Sequence, residues 1–402
     1  MKAVEKRYLF PFCLVTSLFL LWGIANNMTD TLLAAFKRIM DMSDAQTSLI
    51  QFAFYGSYFC FAFPAALFIK RYSYKKGVVL GLALYAAGAL LFFPAAKAAS
   101  YAFYLIAIYI MAGGCSVLET TANPYILSMG SPETATRRLN VAQSFNPMGS
   151  IIGIVLSHFF ILQDVSLYSV SGTYTALGCV LVCIMVMMLF ARMPDGKDTS
   201  AGDSIKTTLR RLSRDRNYIF GVIAQFFYIG AQIGVWSFTI RIAMQELGVA
   251  ESTGSTIYLC AIIGFCASRF IYTWLMKFIP PAKLLLFGAA MSALCSLAVV
   301  LSAGTGWLLI VFLGLISVFM SLMFPTIYGL ALGSVAAGPH PDDSKLGASG
   351  LIMAILGGAI FTPLQGILSD ASTIYVSYLV PMACFIVVLA YAVYYVRNSA
   401  DR

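Results

Sequence analysis

Charge is scarce in this chain. Of 402 residues only 11% are Asp, Glu, Lys or Arg, where a soluble domain carries about 25%, so a water-soluble globule of this length is excluded. Histidine is scarcer still: His158 and His340 stand alone and far apart. That rules against a histidine-based metal centre, and with no nucleophile–base motif nearby it rules against a membrane enzyme as well. The nine cysteines show no CxxC spacing and fall inside apolar runs, where cysteine packs as a small apolar residue. Neither a structural metal nor a cofactor is expected.

What is abundant is apolar surface. Hydrophobic residues make up 60% of the chain and the mean hydropathy is +0.85. A bilayer-spanning helix needs about 20 such residues, and twelve runs qualify: 9–35, 46–69, 77–96, 100–129, 139–162, 170–192, 217–243, 253–277, 281–302, 305–334, 346–370 and 373–396. The expected fold class is therefore an all-α membrane protein of twelve transmembrane helices in two six-helix pseudo-repeats. The longest polar stretch, Pro194 to Asn217, divides the runs six and six. It predicts residues 1–193 as one bundle, 194–216 as a cytoplasmic linker and 217–402 as a second bundle. The basic start MKAVEKRY precedes a run too long and too polar, at Asn26, Asn27 and Asp30, for a cleaved signal peptide.

With both termini in the cytoplasm, the basic residues fall inside except Lys37, Arg38, Lys97 and Arg241, with Arg269 within a span. Arg137, Arg138 and Lys345 are counted here as loop cations. The asymmetry follows the positive-inside rule, and the net charge of +9 is accounted for by cytoplasmic loops beside anionic lipid, with no nucleic-acid partner. A monomer in a bacterial inner membrane is expected.

The two halves echo each other. Asn123-Pro124 near the end of span four recurs as Phe324-Pro325 in span ten, 201 positions on. Lys70 and Lys76 bracket one short loop, Lys277 and Lys283 another, while Gly149, Ser150 and Gly153 of span five are matched by Gly357 and Gly358 of span eleven. Parallel halves of this kind place a binding site between them near the midplane.

Polar residues inside the spans mark that site. Asp30 and Glu119 are lone carboxylates in apolar segments, and a bare carboxylate at mid-bilayer costs roughly 2.5–3.5 kcal/mol on insertion scales. Such a group faces a water-filled path and pairs or carries a proton, which points to proton-coupled transport. Trp22, Asn26 and Asp30 share one helical stripe with Asn27 beside it, and Glu119 shares a face with Asn123 just before Pro124. Asn140, Gln143 and Asn146 on span five, and Gln225, Tyr228, Gln232 and Trp236 on span seven, add amides and aromatic faces. Amides both donate and accept, and aromatic faces cover the C–H surface of a sugar ring, so the set suits an uncharged polyhydroxyl substrate. Arg269 is read as snorkelling or as pairing with backbone carbonyls or an acid, and Asp370 as solvated.

In LWGIANNMTD (21–30), LETTANPY (118–125), LNVAQSFNPMG (139–149) and AQFFYIGAQIGVWS (224–237) the chain resembles the fucose–galactose–glucose:proton symporters of the major facilitator superfamily. The superfamily's acid after span two is missing from AALFIKRYSYKKG (65–77). The resemblance implies that Asp30 couples to substrate binding, that Glu119 takes up and releases the proton, and that Asn26, Asn27, Gln143 and Asn146 line the cavity. It implies import of a neutral monosaccharide, L-fucose foremost, with glucose or galactose and N-acetylglucosamine as alternatives. A drug:proton exporter and a non-transporting sugar receptor remain as readings of the buried acids alone.

Overall fold

A chain in hydrocarbon has no water to satisfy its peptide groups, so its apolar runs fold as helices whose bonds are internal. The computed structural model is helical, with no strand among its described residues. It describes residues 8–39, 44–160, 166–191 and 204–400, and within these leaves out the side chains at 25, 26, 28–39, 44–49, 51, 157–160 and 399–400.

The first six spans are α1 (Leu9–Ile39), α2 (Asp44–Arg71), α3 (Tyr74–Leu90) with α4 (Phe92–Ala98), α5 (Tyr101–Ser128), α6 (Ala135–Gln143) with α7 (Phe145–Phe160), and α8 (Leu167–Phe190). A short helix, α9 (Ile205–Leu212), follows. The second six are α10 (Arg216–Leu247), α11 (Glu251–Leu275), α12 (Pro281–Leu301), α13 (Trp307–Met320) with α14 (Met323–Ala336), α15 (Asp343–Met353) with α16 (Gly357–Ala371), and α17 (Leu379–Ala400). Among the described residues ten of these stretches are long and apolar enough to cross a membrane; α1 and the α6–α7 pair complete the twelve. Local chemistry sets their ends. The hydroxyls of Ser73, Ser100 and Ser166 and the carboxylate of Asp215 each accept a first-turn amide N–H, and α10 stops at Gly248, whose φ of 64° suits glycine. Phe190, Tyr168 and Leu301 are 84%, 78% and 76% exposed, an outer surface that only lipid accommodates.

Within the first half α1 packs on α7, α2 and α3 on α5, and α3 on α8; within the second, α12 packs on α17 and α10 on α14, α16 and α17. Contacts between the halves run α2 to α15, α5 to α15, α6 to α14 and α7 to α11. The glycines that echoed in the sequence do one job in both halves. A Cβ on Gly149 would fall onto the carbonyl oxygen of Leu20 in α1, and a Cβ on Gly357 onto that of Phe226 in α10. Each half thus presses its fifth span on its first through a glycine, because without a solvent-driven force between helices only close backbone approach builds contact.

Two sequence expectations are corrected. Arg138 and Lys345 are not solvated loop cations. Arg138 is fully buried and donates to the Ile126 and Leu127 carbonyls (2.7 and 2.5 Å) and to Thr134 Oγ1 (3.0 Å). It caps the end of α5, whose last carbonyls have no intrahelical partner. Lys345 is 8% exposed, lies 3.6 Å from Asp342 and sits over the Tyr74 ring at 5.6 Å. The polar stretch between the halves is likewise more than a plain connector. In its described part α9 buries Thr208 and Leu212, the Lys70 ammonium of α2 donates to Thr208 Oγ1 (3.1 Å), and Arg211 grips both Asp343 oxygens of α15 (2.6 and 2.8 Å).

Candidate functional site

A cavity of about 350 Å³ opens between the halves in the middle of the bundle. Its walls come from α1, α2, α5, α6 and α7 on one side and from α10, α11, α14 and Ile355, in the turn between α15 and α16, on the other. It lies between mid-bundle and the end opposite α9: Phe54 to Tyr58 of α2 and Gln232 to Ile240 of α10 line it, while the α9-proximal turns of those helices do not.

Six of the residues assigned from sequence to sugar or proton stand in this wall: Asn27, Glu119, Gln143, Asn146, Gln232 and Trp236. Gln143 donates from Nε2 to Asn123 Oδ1 (2.8 Å), which turns its own amide oxygen free for other bonds. Asn146 donates to the Phe19 carbonyl (3.3 Å) and Asn27 to that of Gly23 (3.4 Å), both on α1. Trp236 is held edge-on to Phe265 (5.0 Å between centroids), with its indole N–H 3.4 Å from Ser317 Oγ. Glu119 presents a carboxyl oxygen, Oε2, that is buried and has no hydrogen-bond partner.

Asn123, Gln225 and Tyr228 are placed elsewhere. All three are fully buried and none lines the cavity. Tyr228 donates to the Met320 carbonyl (3.2 Å), and both amide atoms of Gln225 are without partners. Helical spacing brought them near the cavity without settling what packs against them: Tyr228 bonds α13 while its neighbour Ile229 lines the cavity, and Asn123 is engaged by the cavity-lining Gln143. Asn26 and Asp30 have side chains outside the described residues.

Arg269 forms part of the cavity floor. It is 3% exposed and its guanidinium lies over the Phe265 ring at 4.6 Å. Nε donates to the Ser321 carbonyl (2.6 Å) and Nη1 to the Gln143 carbonyl (3.1 Å). Both acceptors are freed by prolines. Pro325 and Pro147 lie four residues beyond Ser321 and Gln143, and a proline supplies no N–H to the carbonyl four residues before it. One cation therefore satisfies two orphaned carbonyls, one from each half. Of the readings open for this residue, pairing with backbone carbonyls is the one that holds. Sequence reasoning passed over Tyr55 and Tyr58 of the cavity wall; their three-residue spacing on span two was the available signal. Tyr58 accepts the Trp22 indole N–H (3.1 Å), which explains why Trp22 is core and not cavity.

This set can hold an uncharged hydroxylated molecule between amides and aromatic faces, with a protonatable group in the wall. The sequence profile of the Major Facilitator Superfamily matches residues 12–340. The chain is 42% identical to an L-fucose-proton symporter of Haemophilus influenzae (strain ATCC 51907 / DSM 11121 / KW20 / Rd), with 97% of each chain covered. It is 32% identical to a glucose/galactose transporter of Brucella abortus biovar 1 (strain 9-941), covering 97% of this chain and 94% of that one. Among solved structures it superposes on the Major Facilitator Superfamily transporter FucP in the outward conformation with a TM-score of 0.88, at 33% identity, covering 96% of this chain and 99% of that one.

Proposed function

The chain belongs to the Major Facilitator Superfamily, and from that premise we propose that it is a proton-coupled symporter that imports a neutral monosaccharide by alternating access, with L-fucose as the first candidate. The observation that carries this reading is Glu119: a carboxyl with an unpartnered oxygen in the wall of an amide- and aromatic-lined cavity between the halves.

Residues 1–193 and 217–402 act as two bodies joined by 194–216, with both termini in the cytoplasm of a bacterial inner membrane and the protein working as a monomer. In the conformation described here the α9 end is closed by α9 and by Arg269, so the cavity serves the outer side. A proton on Glu119 removes the charge that mid-bilayer burial penalises. Sugar hydroxyls meet Gln143, Asn146 and Gln232, and Trp236 covers a ring face. Asp30, in the outer half of α1, binds sugar hydroxyls and ties its own ionisation to occupancy. Rocking of the halves breaks the Arg269 bridge at one of its two carbonyls, opens the α9 end, and lets Glu119 lose its proton to the cytoplasm.

Glu119→Gln tests this. The expected variant exchanges labelled sugar across proteoliposomes as the parent does, because exchange needs no net proton release, and fails to accumulate sugar against its gradient. Retained accumulation would overturn the assignment. A second reading, glucose or galactose as substrate, is favoured by the Brucella relative; an uptake panel of L-fucose, D-galactose, D-glucose, D-mannose and N-acetylglucosamine under an imposed pH gradient decides between them.

A further inference from the structure

Between Glu119 and the closed α9 end the structure buries polar atoms that nothing satisfies. Glu119 Oε2, Thr120 Oγ1 and Asn123 Nδ2 on α5, and Tyr328 Oη on α14, all lack a hydrogen-bond partner. Thr120, Asn123 and Tyr328 are each 0% exposed. Leaving such groups bare is costly, so four on two contacting helices call for a common explanation. Asn123 stands one helical turn from Glu119 on the same face, its Oδ1 already engaged by Gln143, so its free N–H points to a different occupant. Tyr328 stands on α14, which touches α5, and is within electrostatic reach of Glu119, Tyr74 and Tyr218. The last two belong to the α9-end layer: Tyr74 stacks on Tyr125 (5.1 Å) and lies under Lys345, and Tyr218 donates to the Gly347 carbonyl (2.7 Å).

We propose that these four groups hold a short file of internal water through which Glu119 passes its proton toward the α9 end once rocking of the halves has opened that end, with the Tyr328 hydroxyl as the positioning group at the far end of the file. Polar, buried and unsatisfied is the setting in which internal water is held by two to four partners. The step balances simply. The Glu119 O–H bond breaks, its proton joins the first water, each water passes one proton onward, and one proton leaves at the α9 end while a carboxylate remains. No electrons move. The other ionisable groups facing Glu119 are Tyr58 of α2 and Cys115 of α5, with Arg269 of α11 in the same cavity wall; none of them is among the groups that act on Tyr328.

The inference rests on Glu119 being the coupling acid, and the test separates the two. Tyr328→Phe keeps the ring that stacks against Phe324 (6.3 Å) and removes only the hydroxyl. In proteoliposomes with a pH dye in the lumen that receives the sugar, the expected variant binds sugar and exchanges it at the parent rate. Its sugar-driven proton delivery and net uptake slow together by about tenfold, a modest fraction of what a direct proton-transfer partner contributes, and show a larger solvent deuterium isotope effect. Thr120→Val, nearly isosteric, is the second variant and carries the same expectation. Parent rates of proton delivery in both would overturn the water file while leaving Glu119→Gln to behave as described above. Loss of exchange along with uptake in both would assign these residues to packing and overturn it equally. Should Glu119→Gln itself accumulate sugar, the symport reading fails first and by its own assay.

Discussion

Lysine at position 269 is the most informative single change, because it keeps the buried charge and removes only the fork. Arg269 now joins the carbonyls of Gln143 and Ser321, which belong to opposite halves. An ammonium is a point donor on a flexible stem and does not reproduce the planar fork that spans two acceptors. The desolvation of a cation is common to both proteins and cancels in the comparison. What is lost is one charged hydrogen bond, worth about 1.5–3 kcal/mol, and the acceptor left behind is a carbonyl that proline has already deprived of its helical partner. In the conformation open at the α9 end water reaches that carbonyl, so the loss falls on the closed state alone. The equilibrium should therefore move toward the α9-open form by about ten- to a hundredfold. Spin labels at Tyr72 and His340, exposed positions of the two halves at that end, read it: the distance distribution of Arg269→Lys should gain a longer population absent from the parent. An unchanged distribution, with uptake also unchanged, would refute the idea that this bridge closes the floor.

Gly149→Ala places a methyl against the Leu20 carbonyl, and overpacking of this kind destabilises by about 1–3 kcal/mol; a lower detergent melting temperature should follow, and the same for Gly357→Ala. Arg138→Met strips the cap from the Ile126 and Leu127 carbonyls and should lower thermal stability by more than Arg137→Met does, with sugar affinity of the surviving protein unchanged. Trp236→Ala should weaken sugar binding in calorimetry while leaving the fold intact, since the side chain lines the cavity; parent affinity would remove α10 from the site. Asp30→Asn, unlike Glu119→Gln, should lose most sugar binding and exchange as well as accumulation.

How much of this was legible without coordinates follows from what kind of information each feature needs. The spans were legible because the bilayer demands one length and one composition, and the helices begin and end within a few residues of the apolar runs. The pairing of Gly149 with Gly357 was legible as an echo, although its purpose, the approach of α7 to α1 and of α16 and its preceding turn to α10, was not. For the site, helical spacing fixed the face. Glu119 and Asn123 share one, as do Gln225, Tyr228, Gln232 and Trp236, and the structure keeps those groupings. It divides each by what packs against it. Glu119, Gln232 and Trp236 meet the cavity, whereas Asn123, Gln225 and Tyr228 are buried outside it, because neighbouring elements, α6 for Asn123 and α13 for Tyr228, reach them first. Arg269 and Arg138 show the same boundary. A sequence announces that a cation sits in or beside a span, and even that prolines 147 and 325 leave carbonyls bare. Only the packed bundle brings the Gln143 and Ser321 carbonyls, 126 and 52 positions away in the chain and on opposite sides of the seam, to the one guanidinium that satisfies them. The local code is periodic and one-dimensional; the closing of the two halves on each other is a contact between distant segments, and it decides which polar groups face a substrate, which face one another, and which are left to water.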